Sequence, residues 1–472
     1  MPDSARQQQS GPQYELDAGA FLSEPRRTRA ERAAAGRERQ ASVPLASHAE
    51  APSLDGRPDP VAILRAQESE REPALVPLRY ERMAATPFTF LRGAAAVMAS
   101  DLSRVPTSGI SVQLCGDAHV SNFGMFASAE RDLVFDVNDF DETLPGPFDW
   151  DVKRLAASAA VAVLDVGGSE KRARRAAKAT VTSYRETMAA LSAMRTMDVW
   201  NVKLSVDALA ELLGTRGLRA VVQKAAKQAR RSTADTAVAK LTETVDGRRR
   251  FRSDPPILIP VPEGSRDEVV ERLTPVYADY LRTLQPDRVA LMGHYSFVDI
   301  AHKVVGVGSV GNLAILLLLE SGDGEPLILQ VKQANASVLE PYLGASRFDN
   351  HGKRVVVGQR VMQATGDPFL GWIRAEGERV IDFYLRQLRD MKGSIDLTRL
   401  GKEEMSDYVR ICGAVLARAH ARVGDSSGIA GYLGDTDAFD EAVAEFAMAY
   451  AAITVSDHAA LVAWRGSDAA SA

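Results

Sequence analysis

The sequence predicts an α+β protein with a largely helical larger lobe and a small lobe built on an antiparallel sheet. Residues 169–245 show helix-forming composition with few strand signals. Further along, two apolar runs flank the turn SGDGEP at 321–326, which is typical of a β-hairpin because no crossover helix fits between them. At 472 residues, the chain is long enough for two or three packed units.

Composition and charge indicate a soluble globular protein. Hydrophobic residues make up 46% of the chain and charged residues 25%, with a net charge of −5. This balance argues against wholesale binding to nucleic acid or to an anionic membrane. The longest apolar run, LAILLLL at 313–319, is far shorter than a membrane span and suits a buried strand.

Two observations predict a cytoplasmic location. Cys115 and Cys412 are the only cysteines, too few for a disulfide framework or a four-cysteine zinc site. The N-terminus MPDSARQQQSG lacks the apolar core that a signal peptide needs.

Shifts in composition divide the chain into four parts. The first is a flexible basic N-terminal arm centred on RRTRAERAAAGRERQ, with a loosely attached helix as the alternative. The catalytic-loop part of the larger lobe, a small β-rich nucleotide-binding lobe and C-terminal helices that pack back on the larger lobe follow. The predicted bounds of the four parts are 1–55, 56–290, 291–395 and 396–472.

Hydrophobic periodicity places individual elements along these parts. Helices are predicted at 87–104, from DWDVKRL onward, at 351–364 and from 403 nearly to the end. Strands are predicted at SVQL before the motif CGD, at 133–137 and within 379–391.

The stretch CGDAHVSNFG at 115–124 is the first candidate for chemistry. Asp117 and Asn122 are five positions apart, with His119 between them. Phosphotransferase catalytic loops have this spacing: the aspartate orients or accepts the proton of the substrate hydroxyl, and the asparagine binds a divalent metal. We expect Asp117 to be catalytic, with His119 supporting it.

A cluster of carboxylates follows in LVFDVNDFDE. Asp136, Asp139 and Asp141 lie at the end of a predicted strand. Hard oxygen ligands suit Mg²⁺, so a carboxylate here can hold the metal against nucleotide phosphates. An ordinary acidic turn is the alternative. Together with Asn122, Asp139 and Asp141 are the predicted metal ligands.

A glycine motif, GVGSVG at 306–311, supplies the third candidate. A dinucleotide-binding fold requires a helix after the glycines, but the strand LAILLLLE follows here. A glycine loop between antiparallel strands can instead cover nucleotide phosphates. Lys332 in LILQVKQA is the lysine that this arrangement needs, unless it is an edge-strand lysine facing solvent. The predicted nucleotide-binding residues are Gly306, Gly308, Ser309, Gly311 and Lys332.

These motifs resemble those of aminoglycoside phosphotransferases and choline kinases, within the protein-kinase-like superfamily. CGDAHVSNFG resembles their H-G-D-L-H-x-x-N loop, with Cys115 in place of the first histidine. VNDFDE resembles their I-D-F segment, and PFDWDVKRLA their Y-D-L-A-R helix start, which carries a structural aspartate, here Asp151. The order differs, because the glycine loop and lysine precede the catalytic loop in those families. The resemblance therefore implies a circularly permuted, two-lobe kinase-like fold.

From about residue 30 onward the sequence also resembles a bacterial family, domain of unknown function 2252. The matching stretches include RYERMAATPFTFLRGAAAVMASDL, KVVGVGSVG, LQVKQANASVLEPY and LARAHARVGD. This resemblance implies no particular substrate.

Kinase-like folds pair the strand lysine with a helical glutamate, and the resemblance makes Glu340 in ASVLEPY the candidate partner of Lys332. It also implies an adenine-binding hinge, which FYLRQL at 383–388 fits in type.

The leading hypothesis is an ATP- and Mg²⁺-dependent phosphotransferase that acts on a hydroxyl of an unknown small molecule or protein. One alternative is a nucleotide-binding pseudokinase, and another is an enzyme that transfers AMP. A metallophosphoesterase is a further alternative, because Gly-Asp-Ala-His is similar to the G-D-x-H of two-metal hydrolases. That site needs several more histidines, whereas His302 and His420 stand isolated and His420 suits a buried, hydrogen-bonded core position.

Overall fold

The computed structural model describes residues 22–23, 25–212, 216–231, 234–304, 310–377, 379–388 and 391–469. Over these residues the fold is mixed α+β, with a helical body and several antiparallel sheets. The α+β class predicted from the sequence is therefore confirmed.

The elements of the first half of the chain are mostly helical. Its helices are α1 Arg29–Ser42, α2 Pro60–Ala66, α3 Val76–Met83, α4 Pro87–Gly93, α5 Ala95–Leu102, α6 Phe148–Asp165, α7 Glu170–Ala193, α8 Thr196–Asn201, α9 Val206–Leu212, α10 Arg216–Arg231 and α11 Ala234–Leu241. Its strands are β1 Ser111–Leu114, β2 Phe123–Ala127, β3 Leu133–Val137 and β4 Leu144–Pro147.

The second half holds most of the strands. Its strands are β5 Thr242–Val245, β6 Arg248–Phe251, β7 Leu258–Pro260, β8 Tyr295–Lys303, β9 Ala314–Ser321, β10 Pro326–Ala334, β11 Gly371–Ala375 and β12 Ile381–Gln387. Its helices are α12 Arg266–Thr283, α13 Pro286–Met292, α14 Glu340–Leu343, α15 His351–Met362, α16 Lys402–Val423, α17 Ser426–Leu433 and α18 Ala438–Ala469.

The helical body is built around α6, which is buried along nearly its whole length. Its sequence FDWDVKRLAASAAVAVLD is rich in alanine, so neighbouring helices can approach closely. α7 and α18 pack on α6, and α16 packs on α7. The resulting core joins residues from the first and last parts of the chain.

Two nested antiparallel pairs place the sequence motifs side by side. β1 pairs with β4, and β2 pairs with β3. The connection 115–122 joins β1 to β2, and the connection 138–143 joins β3 to β4. Because the two pairs are nested, both connections emerge at the same end, and the Asn138 N–H donates to the Asn122 carbonyl at 3.0 Å.

The largest sheet has six antiparallel strands in the order β11-β12-β10-β9-β8-β7. The predicted hairpin around SGDGEP is confirmed as β9 and β10. Side chains alternate along β10: Leu329 and Val331 pack into the core beneath α12 and α13, whereas Gln330 and Lys332 face a cavity. The sheet begins at Leu258, earlier than the predicted start of the small lobe at 291.

The arm that the sequence predicts to be flexible contains a docked helix. The helix α1 begins with a capping box formed by Thr28 and Glu31 and packs against α17. Arg32 pairs with Asp425 at 2.8 Å, and Gly36 lies against the backbone of α17, so close that a Cβ there would meet the Gly428 carbonyl oxygen at 2.1 Å. Residues 1–21 lie outside the described residues.

Within the described residues, one helix is long and apolar enough to cross a membrane by length and composition alone. This stretch is Ala438–Ser467 in α18, and 39% of its most apolar window is buried. Its fully buried Asp440 accepts hydrogen bonds from Arg185, and Asp457 pairs with Arg57. Internal ion pairs of this kind are typical of a helix packed inside a globular protein.

Candidate functional site

A cavity of about 1420 Å³ lies between the helical body and the six-stranded sheet. The catalytic-loop candidate, the acidic segment and β10 all contribute to its lining. Of the predicted site residues, the cavity is lined by Asp117, His119, Asn122, Asp139, Asp141 and Lys332. The tertiary structure therefore brings together two motifs that lie about two hundred residues apart in the sequence.

The loop at 115–122 is held by buried groups behind it. The Asp151 carboxylate accepts hydrogen bonds from the backbone N–H groups of Cys115 at 2.8 Å and Gly116 at 3.1 Å. Gly116 has a φ of +81°, and a Cβ there would meet the Glu142 carbonyl oxygen at 2.2 Å. Only glycine satisfies both conditions without strain. The loop is thereby fixed against the acidic segment.

Asp117 is paired with an arginine that the sequence interpretation missed. The Arg154 Nε atom donates to Asp117 Oδ1 at 2.6 Å, and a second guanidinium nitrogen contacts the same oxygen. Burial raises the pKa of Asp117 above its ordinary value, although Arg154 and then Arg92 oppose that shift. Asp117 is thus a carboxylate in a fixed orientation that takes up a proton more readily than an exposed aspartate.

His119 lies beside Asp117, with its Nε2 atom 3.7 Å from Asp117 Oδ2. Burial lowers the pKa of His119 well below its ordinary value, and the positive charges of Arg92 and Arg154 act in the same direction. The imidazole is therefore neutral at physiological pH. Its Nδ1 atom is buried without a hydrogen-bond partner among the described residues.

Asn122 joins the two connections through its side chain. Its Nδ2 atom donates to the carbonyl oxygens of Asp117 and Asp139, both at 3.1 Å. These two bonds orient the amide, so Oδ1 is the atom that remains for a ligand. A neutral oxygen held next to Asp139 suits a hard cation such as Mg²⁺.

The pKa values of the neighbouring carboxylates Asp139 and Asp141 shift in opposite directions. Burial, followed by the negative charge of Asp141, raises the pKa of Asp139. Burial also acts to raise the pKa of Asp141, but Lys332 and Tyr384 outweigh it and leave that pKa below its ordinary value. Asp141 therefore favours the ionised form more strongly than Asp139 does.

Lys332 pairs with Asp141, so the pairing with Glu340 expected from the sequence is wrong. The Lys332 Nζ atom donates to Asp141 Oδ2 at 2.9 Å, and the Tyr384 hydroxyl donates to Asp141 Oδ1 at 2.6 Å. Burial alone would lower the pKa of Lys332, but Asp141 outweighs it and raises that pKa.

Glu340 instead lies near His351 and Arg354, with its Oε1 atom 3.8 Å and 3.9 Å from them. It also accepts a hydrogen bond from the Ser337 N–H at 3.1 Å. The physical reason is direction: Lys332 points from β10 toward the acidic segment, whereas α14 begins beyond the end of that strand.

The glycine motif is described only in part. Gly306, Gly308 and Ser309 lie outside the described residues, so their predicted role stays a prediction. The loop connects β8 to β9, which are antiparallel neighbours. Gly311 has a φ of +92°, and its carbonyl oxygen accepts a hydrogen bond from the Glu72 N–H at 2.7 Å.

Three further residues shape the site and were not predicted from the sequence. Tyr384 and Arg386 reach the cavity side from β12, next to Lys332 on β10. Arg354 is buried and donates to the carbonyl oxygens of Asp141 and Thr143 at 2.8 Å, which fixes the acidic segment to the sheet side. Alternation along β12 could have indicated Tyr384 and Arg386, but no local pattern indicates the contacts of Arg354.

Asp136 and His420 have structural roles. Asp136 is buried in an ion pair with Arg418, away from the cavity lining. His420 is fully buried and bonded to the Tyr184 hydroxyl at 2.8 Å and to Asp151 at 3.2 Å, which confirms its predicted core role. Across the described part of the chain, no group of three or more His, Cys, Asp or Glu side chains is arranged to hold a metal ion.

Residues 71–464 match the model of a family described as "uncharacterized protein conserved in bacteria (DUF2252)". The match covers most of the chain, and the chain therefore belongs to this family. No curated protein and no solved structure matches it.

Proposed function

We propose that this protein is an ATP- and Mg²⁺-dependent phosphotransferase with a hydroxyl-bearing acceptor. The observation that carries the proposal is the ion pair between Lys332 and Asp141, which joins the sheet to the loop region on one cavity wall. Asp117 and Asn122 line the same cavity. Together these are the residue types that phosphoryl transfer uses to position its two substrates.

The finer fold proposal is a circularly permuted kinase-like arrangement. It is supported by a glycine motif between the antiparallel strands β8 and β9, followed by a buried lysine on β10. It is further supported by a loop with Asp117 and Asn122 on the helical side of the cavity.

The donor end of the site is assigned to the sheet side. Lys332 and Arg386 are the cations that act to lower the pKa values of Asp139 and Asp141. The negatively charged triphosphate of ATP fits beside these cations. Asn122 Oδ1 and Asp139 would hold Mg²⁺, because both offer hard oxygen ligands at the junction of the two loops. When bound, Mg²⁺ neutralises charge on the phosphate oxygens.

The acceptor end is assigned to Asp117. The acceptor hydroxyl oxygen forms a bond to the γ-phosphorus as the bond from that phosphorus to the bridging oxygen breaks, and ADP leaves. Asp117 takes the hydroxyl proton, which its raised pKa favours. Arg154 holds the carboxylate in orientation, and neutral His119 limits the charge on this side.

The test is nucleotide binding and turnover by the full chain. Thermal unfolding with ATP, with and without Mg²⁺, should show a higher Tm in the presence of the nucleotide. Single-turnover incubation with ATP and a cell extract should then yield ADP and a product heavier by one phosphoryl group. A product heavier by AMP would favour AMP transfer, and binding without turnover would favour a pseudokinase. No stabilisation by any nucleotide would exclude all three.

A further inference from the structure

The wall of the cavity formed by the N-terminal helices carries arginines that the proposed chemistry leaves unused. Arg79 on α3 is 1% exposed and lines the cavity. Its guanidinium bonds only to neutral oxygens among the described residues, namely Gln67 Oε1 at 2.8 Å and the carbonyls of Leu64 at 3.4 Å and Gly93 at 3.3 Å. Its Nε atom is buried without a partner there. A buried charge in this state is costly unless an anion completes it.

Arg92 on α4 stands on the same wall, close to the acceptor end. Its Nε atom is buried and has no hydrogen-bond partner in the described part of the chain. Burial lowers its pKa, and Asp117 is the charge that opposes this shift. Arg92 in turn disfavours a positive charge on His119. Arg92 lines the cavity together with Asp117 and His119, the two residues assigned to the acceptor.

Four cations at or next to the cavity fall into two groups by the carboxylate whose pKa each lowers. Lys332 and Arg386 act on Asp139 and Asp141, the donor end. Arg92 and Arg154 act on Asp117, the acceptor end. Arg154 is engaged by Asp117 and by the Leu91 carbonyl at 3.0 Å, so Arg92 is the one of these two arginines that can bind a second group of the acceptor.

We propose that the acceptor is an anion, in which the reacting hydroxyl is accompanied by a phosphate or carboxylate group that binds Arg92. This inference rests on the proposed function and names the substrate class for it. A planar guanidinium matches either anion with two hydrogen bonds, and Arg79, which lines the same cavity, adds positive potential. A cationic amino sugar is disfavoured by the same wall.

The experiment measures anion binding to the full chain with the donor end filled. Tm is followed against inorganic phosphate and, in parallel, acetate, with Mg²⁺ and a non-hydrolysable ATP analogue at saturation. Comparing wild type with Arg92→Gln cancels the general stabilising effect of the salts. We expect Arg92→Gln to weaken the preferred anion by about tenfold or more, and Arg92→Lys to retain part of the affinity. Arg172→Gln, an exposed position on α7, is the matched control and should change nothing.

Equal anion binding by wild type and Arg92→Gln would overturn the inference. Displacement of the anion by the nucleotide would also overturn it, since Arg92 would then belong to the donor end. The series without nucleotide separates the two proposals. Arg92-dependent anion binding with no response to nucleotide would contradict the proposed function, whereas nucleotide stabilisation without Arg92-dependent anion binding would contradict only this inference. Turnover of sugar phosphates or hydroxy acids, with none of amino sugars, is the expected result of an acceptor panel.

Discussion

Asp117 and Asp141 line one cavity, have side chains that are each 22% exposed and each pair with a cation, yet their surroundings shift their pKa values in opposite directions. Burial outweighs Arg154 at Asp117 and raises the pKa. At Asp141 the combined effect of Lys332 and a Tyr384 hydroxyl outweighs burial and lowers it. Such a divergence between neighbouring acids is typical of sites where one group exchanges a proton and the other holds a charge. The comparison supports proton uptake at Asp117 and charge pairing at Asp141.

The partners of these carboxylates also differ in their origin along the chain. Arg154 lies 37 positions from Asp117, on the helix that follows the nested strands. Lys332 lies 191 positions from Asp141 and reaches it only across the interface between the sheet and the helical body. The ion pair of Asp117 therefore forms within one local segment of the chain. The ion pair of Asp141 depends on how the sheet packs against the helical body.

The largest expected effect is the loss of phosphoryl transfer in Asp117→Asn. The amide cannot take the hydroxyl proton, so the turnover rate should fall by about 10² to 10⁴. Nucleotide stabilisation in thermal unfolding should remain, because the donor end is untouched. Asp132→Asn, at an exposed carboxylate paired with Lys203, is the matched control and should keep full activity. Equal activity of wild type and Asp117→Asn would break the assignment of the acceptor end.

Removing Lys332 should have the next largest effect, this time on stability. The Lys332 side chain is 5% exposed and that of Asp141 is 22% exposed, so Lys332→Ala leaves a mostly enclosed carboxylate without its cation. The cost should be about 3 kcal/mol or more in the free energy of unfolding, measured by chemical denaturation, with weaker nucleotide binding.

The chain offers a control pair of nearly the same length at the surface. Lys203 and Asp132 are 2.8 Å apart, with side chains 41% and 52% exposed. Lys203→Ala should therefore cost only about 1 kcal/mol or less. A similar cost for both lysine variants would contradict the role of burial. The double variant Lys332→Ala, Asp141→Asn should recover part of the free energy of unfolding that Lys332→Ala loses.

The smallest expected effect is a change in pH dependence at Glu142, between the two ends. Burial raises its pKa to about 7, although Arg354 and the Val338 N–H favour the charged form. Between about pH 4.5 and 7, the folded protein therefore binds a proton that the unfolded chain does not. Stability contributed by this group is present below that window and is lost as pH rises through it.

Glu142→Gln removes this titration. The difference in unfolding free energy between the variant and wild type should shift in favour of the variant from pH 5 to pH 8, by on the order of 1 to 3 kcal/mol. Denaturation curves at a series of pH values measure this shift. Parallel pH dependence in the two proteins would show that Glu142 is ionised at neutral pH.

Local patterns predicted the parts of the site that lie within one segment. The spacing of Asp117 and Asn122 and the alternation of LILQVKQA were sufficient to pick out side chains that line the cavity. Within one segment, few torsion angles separate such neighbours, so their relative positions follow from the local structure. The pairing of Lys332 with Glu340, which the resemblance to kinase-like folds implied, is wrong, because a motif does not show which carboxylate lies within reach of the lysine. Arg154 was missed because its residue type recurs on many helices and only the tertiary contact distinguishes it.

The sequence by itself determined the α+β class, the β9–β10 hairpin, the loop with Asp117 and Asn122, and the core position of His420. Tertiary structure alone decided that Lys332 binds Asp141, that Arg92 and Arg79 line the same cavity as Asp117, and that the pKa values of Asp117 and Asp141 shift in opposite directions. The physical reason is that secondary structure follows from local conformational preference and periodicity. Ion pairing and pKa depend on burial and on distances between groups far apart in the chain.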